Sequence, residues 1–291
     1  MNEPHRWRSA QLGEPHLLSL PQGTVEYFRR GSGRPLVFAH GWLANANLWR
    51  HVIDQLADRF DCIALDLPLG AHRIGLNDDA DLGAEGCGAL ISDILRALAF
   101  DDAVLIGNDS GGAYSQIALA DGAVGVTGLA LSSCETPYDE FPPKPFDGLP
   151  EVARDPTALR QLLGTLEDPE VRRQPAAFGL LVKHRLDQSA SDSYALPCAL
   201  DAEVLQDTAK VMSGASTEAV RRAGAALIES WNAPATLIWS SEDPVFPIDH
   251  ARRYAEALPN AGIVEIEDSY SFTPEDQPEA VAEAVAAFAA G

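Results

Sequence analysis

At 291 residues the chain is long enough for one large domain, or a domain carrying an insertion, built around a sizeable core. Its 21 Lys and Arg against 43 Asp and Glu give a formal charge of −22, which opposes binding to nucleic acid and to anionic membrane surfaces. Four cysteines, Cys62, Cys87, Cys134 and Cys198, form no C-x-x-C pair and no framework spacing, so they read as buried thiols of a reducing compartment. The first residues include Glu3, His5, Arg6 and Arg8 with no apolar run, unlike an ordinary signal peptide. No stretch approaches the roughly 20 apolar residues of a membrane span. The expected setting is the cytoplasm, and the expected partner is a small-molecule substrate, with no cofactor and no metal.

In chain order, residues 17–20 and 24–29 alternate as two strands of a hairpin, with Pro21-Gln22-Gly23 as the turn. Residues 36–39 form a short apolar strand ending at His40-Gly41-Trp42, and residues 48–57 have helical periodicity. A buried strand follows at 62–65, then an amphipathic helix at 83–99, a strand at 104–106, a helix at 113–120 and a strand at 127–132. Strands alternating with helices imply a parallel sheet covered on both faces, with any site at the carboxyl ends of the strands. After Cys134 the alternation stops. Pro137, Pro142, Pro143, Pro145 and Pro150 crowd the entry to a segment without strand signal, where helices are expected at 156–166, 175–186 and 199–212. The alternation resumes with a helix at 217–230, a strand at 236–239, a helix at 250–258, a strand at 263–266 and a terminal helix at 279–290.

The stretch that organises the chain is Val104 to Tyr114, V-L-I-G-N-D-S-G-G-A-Y. Three apolar residues lead into small residues around a lone carboxylate, Asp109, and a helix follows. A turn this sharp needs almost no side chain two residues before and two after its apex, because strand and helix backbones nearly touch. Gly107 and Gly111 meet that need around Asp109. Centring the turn on Ser110 instead would put Asn108 in a position too tight for it. A plain helix N-cap is the simpler alternative for Asp109.

With these motifs the sequence resembles the α/β-hydrolase fold, and within it the haloalkane dehalogenase and epoxide hydrolase branch, where Asp replaces the usual Ser at the turn. The resemblance rests on Gly107-Asn108-Asp109-Ser110-Gly111-Gly112, His40-Gly41-Trp42, Asp66-Leu67-Pro68 and Glu242-Asp243-Pro244, and it covers nearly the whole chain. It implies a mostly parallel eight-stranded sheet flanked by helices, with residues 1–135 and 214–291 as the core and 136–213 as an inserted helical cap.

In such families the carboxylate attacks an electrophilic carbon to give an ester, and a His oriented by a second carboxylate activates water to hydrolyse it. The resemblance implies Asp243 as the orienting acid; an Asx turn before Pro244 is the other reading. The His is missing. Its register, ahead of Asp276-Gln277-Pro278, reads Tyr270-Ser271-Phe272, and no His follows His250. Serine has no pKa near neutrality, so Ser271 cannot replace it as a general base. His72 and His184 are candidates for a relocated base, and Glu135, just past the sixth strand, for an alternative acid or base. His40 is expected to play a structural hydrogen-bonding role. Backbone N–H groups of Trp42 and Ser110 are the expected oxyanion donors. Dehalogenases of the family carry Trp directly after the nucleophile to hold halide, and Ser110 stands there instead. Trp42 is nearer to epoxide hydrolases, whose cap tyrosines protonate the epoxide oxygen; Tyr138 and Tyr194 are candidates for that role, with packing as the alternative. The readings left open are hydrolysis through Asp109, acid/base chemistry without hydrolysis such as epoxide opening, elimination or cyclisation, and ligand binding without catalysis.

Overall fold

The structure, a computed structural model, describes residues 3–291. Its strands are β1 (Glu14–Leu20), β2 (Gly23–Gly31), β3 (Pro35–Ala39), β4 (Asp61–Asp66), β5 (Ala103–Asn108), β6 (Val126–Ser132), β7 (Ala235–Ser240) and β8 (Ala261–Ile266). They make one 8-stranded sheet in the order β1-β2-β4-β3-β5-β6-β7-β8. From β4 to β8 all neighbours pair in parallel, and the β1–β2 hairpin joins β4 antiparallel. The strands β4, β5 and β7 are buried along their whole length, which is why they read as unbroken apolar runs rather than alternating ones. β1 lies at the edge, and its outward Leu17 is 64% exposed.

The helices are α1 (Arg50–Leu56), α2 (Ala84–Leu98), α3 (Ser110–Ala120), α4 (Leu149–Ala153), α5 (Pro156–Gly164), α6 (Gln188–Ala195), α7 (Pro197–Leu200), α8 (Ala202–Ser213), α9 (Thr217–Ser230), α10 (Ile248–Ala257), α11 (Thr273–Asp276) and α12 (Pro278–Ala289). Two groups of them are α2 with α3 and α9, and α1 with α12, while α4, α5, α7 and α8 pack on one another. No helix of the described residues is long and apolar enough to cross a membrane. All four cysteines are buried and free.

Between β6 and β7 the described chain makes helices and turns without a strand. Two of these helices start as their sequences suggest: Asp155 accepts hydrogen bonds from the N–H groups of Thr157 and Ala158 with Pro156 in the first turn of α5, and Asp201 caps α8. That second cap also breaks the single helix expected over 199–212 into α7 and α8. The helix expected over 175–186 is absent, and the segment is a run of turns. Tertiary partners take the backbone groups a helix would use: Leu181 O accepts from Phe272 N–H at 2.7 Å, and the Asp276 carboxylate accepts from the N–H groups of Lys183 (2.9 Å) and His184 (2.8 Å). α6, which was not expected, begins where Asp187 accepts from Ala190 N–H.

Candidate active site

β5 ends at Asn108 and α3 begins at Ser110, so Asp109 alone makes the turn, with φ 51° and ψ −142°. Positive φ at a non-glycine residue is strained and persists only where the surroundings enforce it. They do so by close backbone contact: a Cβ on Gly107 would lie 2.6 Å from Gly112 Cα, and one on Gly111 would strike the carbonyl oxygens of Ala39 and His40. The two glycines therefore pack on the first turn of α3 and the end of β3 rather than on Asp109 itself. Asn108, whose bulk argued against Ser110 as the apex, uses its Nδ2 to donate to the carbonyls of Ser132 and Ser271, both at 2.8 Å. It thereby ties the elbow to the end of β6 and to the terminal segment.

Asp109 Oδ2 accepts the Trp42 N–H at 3.0 Å, and the same N–H reaches Ser110 Oγ at 2.9 Å. Burial raises the Asp109 carboxyl to about 7, and the backbone N–H groups of Ser110 and Trp42 offset part of that rise. Asp109 lies on a cavity of about 410 Å³. Trp42, Ser110 and Glu135 share its strand-end side, and Phe146, Leu163 and Phe178 come from the segment between β6 and β7. Among the described residues no His, Lys or Arg lines it.

Glu135 is 1% exposed, and its Oε2 has no hydrogen-bond partner among the described residues. Burial first, then the charge of Asp109, push it well above the usual carboxyl range. The indole Nε1 of Trp42 is a second buried polar atom without a partner. Glu135 is placed by its own backbone, whose carbonyl accepts Gln116 Nε2 of α3 at 2.7 Å. Gln116 was invisible to sequence reasoning, since an amide inside an apolar helix carries no distinctive spacing.

Asp243 and Ser271 do meet, with Ser271 Oγ donating to Asp243 Oδ1 at 2.8 Å. The same oxygen accepts the N–H groups of Val245 (2.9 Å) and Phe246 (3.0 Å), so Asp243 also builds the turn at Pro244. Burial lifts its carboxyl to about 6. Neither Asp243 nor Ser271 lines the cavity.

The remaining candidates are spent elsewhere. His40 Nε2 accepts Leu67 N–H at 2.9 Å while Nδ1 faces Gly41 O at 2.9 Å, and burial lowers its pKa to about 4, so it is neutral and structural, as expected. Tyr194 does not line the cavity, and its hydroxyl donates to Glu275 Oε1 at 2.6 Å, beside Arg50. Tyr138 is likewise a packing residue, with the Arg253 guanidinium 3.8 Å over its ring. His72 is buried against Asp207 at 3.2 Å, and exposed His184 bonds Asp268 at 3.1 Å; neither borders the cavity. No group of His, Cys, Asp and Glu among the described residues could hold a metal ion.

Among relatives, the chain is similar to the uncharacterized hydrolase YugF of Bacillus subtilis, 25% identical over 279 residues, covering 90% of this chain and 92% of the relative. It is also similar to haloalkane dehalogenase 2 of Mycobacterium tuberculosis, 26% identical over 271 residues and 91% of each chain. Among solved structures, epoxide hydrolase CorEH superposes with a TM-score of 0.77 over 95% of this chain and 98% of the other, at 20% identity, a likeness of fold. The family model of the alpha/beta hydrolase fold matches residues 34–278, so the sharp turn at Asp109, the parallel sheet that carries it and the helices on both faces belong to a member of the α/β-hydrolase fold family.

Proposed function

We propose that this chain is a hydrolase for a small, largely apolar organic electrophile, with Asp109 attacking carbon to form an ester. The observation that carries this reading is the Asp109 carboxylate held by the Trp42 N–H at positive φ on an apolar cavity. A carboxylate so oriented, and kept from bulk water, is placed to displace a leaving group, and the N–H donors around it suit the oxyanion of ester hydrolysis. The relative named as a haloalkane dehalogenase supports the chemistry class. Ser110, in place of a halide-holding Trp, and Trp42 after His40-Gly41 favour an epoxide over a halide as the natural electrophile.

The test is intact-protein and peptide mass spectrometry after exposure to 1-bromohexane. A single hexyl group on the peptide containing Asp109, absent from Asp109→Asn, is the expected result. A second reading, acid/base chemistry without an ester, draws on the lack of any imidazole along the cavity; turnover of a substrate with no adduct from any electrophile would select it and reject the first.

A further inference from the structure

We propose that Glu135 alone supplies both proton transfers of an epoxide hydrolysis, first as the acid that opens the ring and then as the base that cleaves the Asp109 ester. This rests on the nucleophilic reading of Asp109 given above. Both carboxyls border one cavity of about 410 Å³ that has no basic side chain among its described lining residues. They differ in what holds them. Asp109 accepts the Trp42 N–H, which favours its ionised form, whereas Glu135 Oε2 is buried without a partner. Two neighbouring carboxyls cannot both ionise cheaply in such a site, so one proton is shared and resides on Glu135.

Other donors are occupied. Tyr194 is bound to Glu275, and Tyr138 does not line the cavity. Asp139, the other acid near Glu135, accepts from Thr136 N–H and Oγ1 and from His250. Glu135 is left as the one titratable group besides Asp109 among the described lining residues.

The cycle balances without a histidine. A carboxylate oxygen of Asp109 attacks an epoxide carbon, the C–O bond breaks, and the ring oxygen takes the Glu135 proton. The products are a hydroxyalkyl ester of Asp109 and a Glu135 carboxylate. That carboxylate is now a buried base beside an ester; it takes a proton from water while the oxygen adds to the ester carbonyl, whose oxyanion meets the Trp42 and Ser110 N–H groups. Collapse expels the diol oxygen, which takes the proton from Glu135 and leaves Asp109 as the free acid; that proton then passes from Asp109 to Glu135, which restores the Asp109 carboxylate and the protonated Glu135 of the starting state. The sum is epoxide plus water to vicinal diol.

An alkyl halide breaks this cycle. Halide leaves as an anion and takes no proton, so Glu135 stays protonated and the ester has no base. The same cavity should therefore turn over 1,2-epoxyhexane and be trapped by 1-bromohexane.

The experiment compares these two probes on the whole chain, following diol, bromide and the mass of the Asp109 peptide. Expected is continuous diol formation from the epoxide, against one equivalent of bromide and a persistent hexyl ester. Glu135→Gln should lower diol formation by about 10²–10⁴-fold, the usual worth of a positioned acid or base, and should still form the hexyl ester, which also reports that it has folded. Glu135→Asp should recover part of the diol rate. Equal turnover of both probes by the unaltered chain, or undiminished diol formation by Glu135→Gln, overturns the assignment. Persistent Asp109 esters from both probes would reject the role of Glu135 while leaving Asp109 as nucleophile; no adduct from either would reject the nucleophile itself.

Discussion

Asp109 and Asp243 are both buried carboxyls at strand ends, raised by burial to about 7 and about 6, yet the chain uses them in opposite ways. Asp109 sits on a strained turn and faces a cavity. Asp243 gives Oδ1 to two backbone N–H groups and to Ser271, and lies behind the cavity wall. In the β5–β6 half Asp109 and Glu135 border the cavity. In the β7–β8 half the hydrogen bonds close a loop. Ser271 takes part in that loop and does not border the cavity.

The largest effect expected from breaking this contrast is at the elbow. Gly107→Val forces a side chain into the Gly112 backbone, and the loss should be at least about 3 kcal/mol, since overpacking against backbone has little room to relax. A urea unfolding midpoint equal to that of the unaltered chain would show that the elbow is not close-packed.

Asp243 sharpens the contrast through pH. Its carboxyl titrates near 3.8 in the unfolded chain and at about 6 when folded, so the folded state holds the extra proton between those values. Its favourable contribution is complete below about pH 4 and is lost as pH rises through about 6. Relative to Asp243→Asn, the unaltered chain should therefore lose on the order of 2–3 kcal/mol between pH 4 and 7.5. Parallel stability curves for the two proteins would mean that Asp243 is not a buried acid of this kind.

The smallest effect belongs to Ser271. Ser271→Ala removes one hydrogen bond to Asp243, a cost of about 1 kcal/mol, and should leave turnover within about twofold because Ser271 does not border the cavity. A large fall in kcat with unchanged stability would return Ser271 to the chemistry.

The core was legible because its signals are local. Runs such as residues 62–65 and 104–106 are apolar since both faces of the sheet are covered, and Gly107 and Gly111 announce a turn that only small residues permit. That Ser271 stands where the resemblance implies a His was read from the sequence alone. What escaped was set by distant partners. Residues 175–186 have helical periodicity, but Phe272 and Asp276 claim their backbone groups. Tyr194 looks like a cap acid until Glu275, far along the chain, accepts its proton. Glu135 was visible as a residue past a strand; that its Oε2 has no partner depends on side chains from several elements.

The fastening of the segment between β6 and β7 has a consequence for how this protein is made. Arg50 reaches Asp187, at the start of α6, and Glu275, which also binds Tyr194, and Asp276 holds Lys183 and His184. Translation runs from the N-terminus, so the cavity walls are synthesised about a hundred residues before the two carboxylates that secure them. Until α11 emerges, the segment carrying Phe146, Leu163 and Phe178 has the Arg50–Asp187 pair but lacks the Glu275 and Asp276 contacts. The insertion is thus complete before this second set of anchors is made.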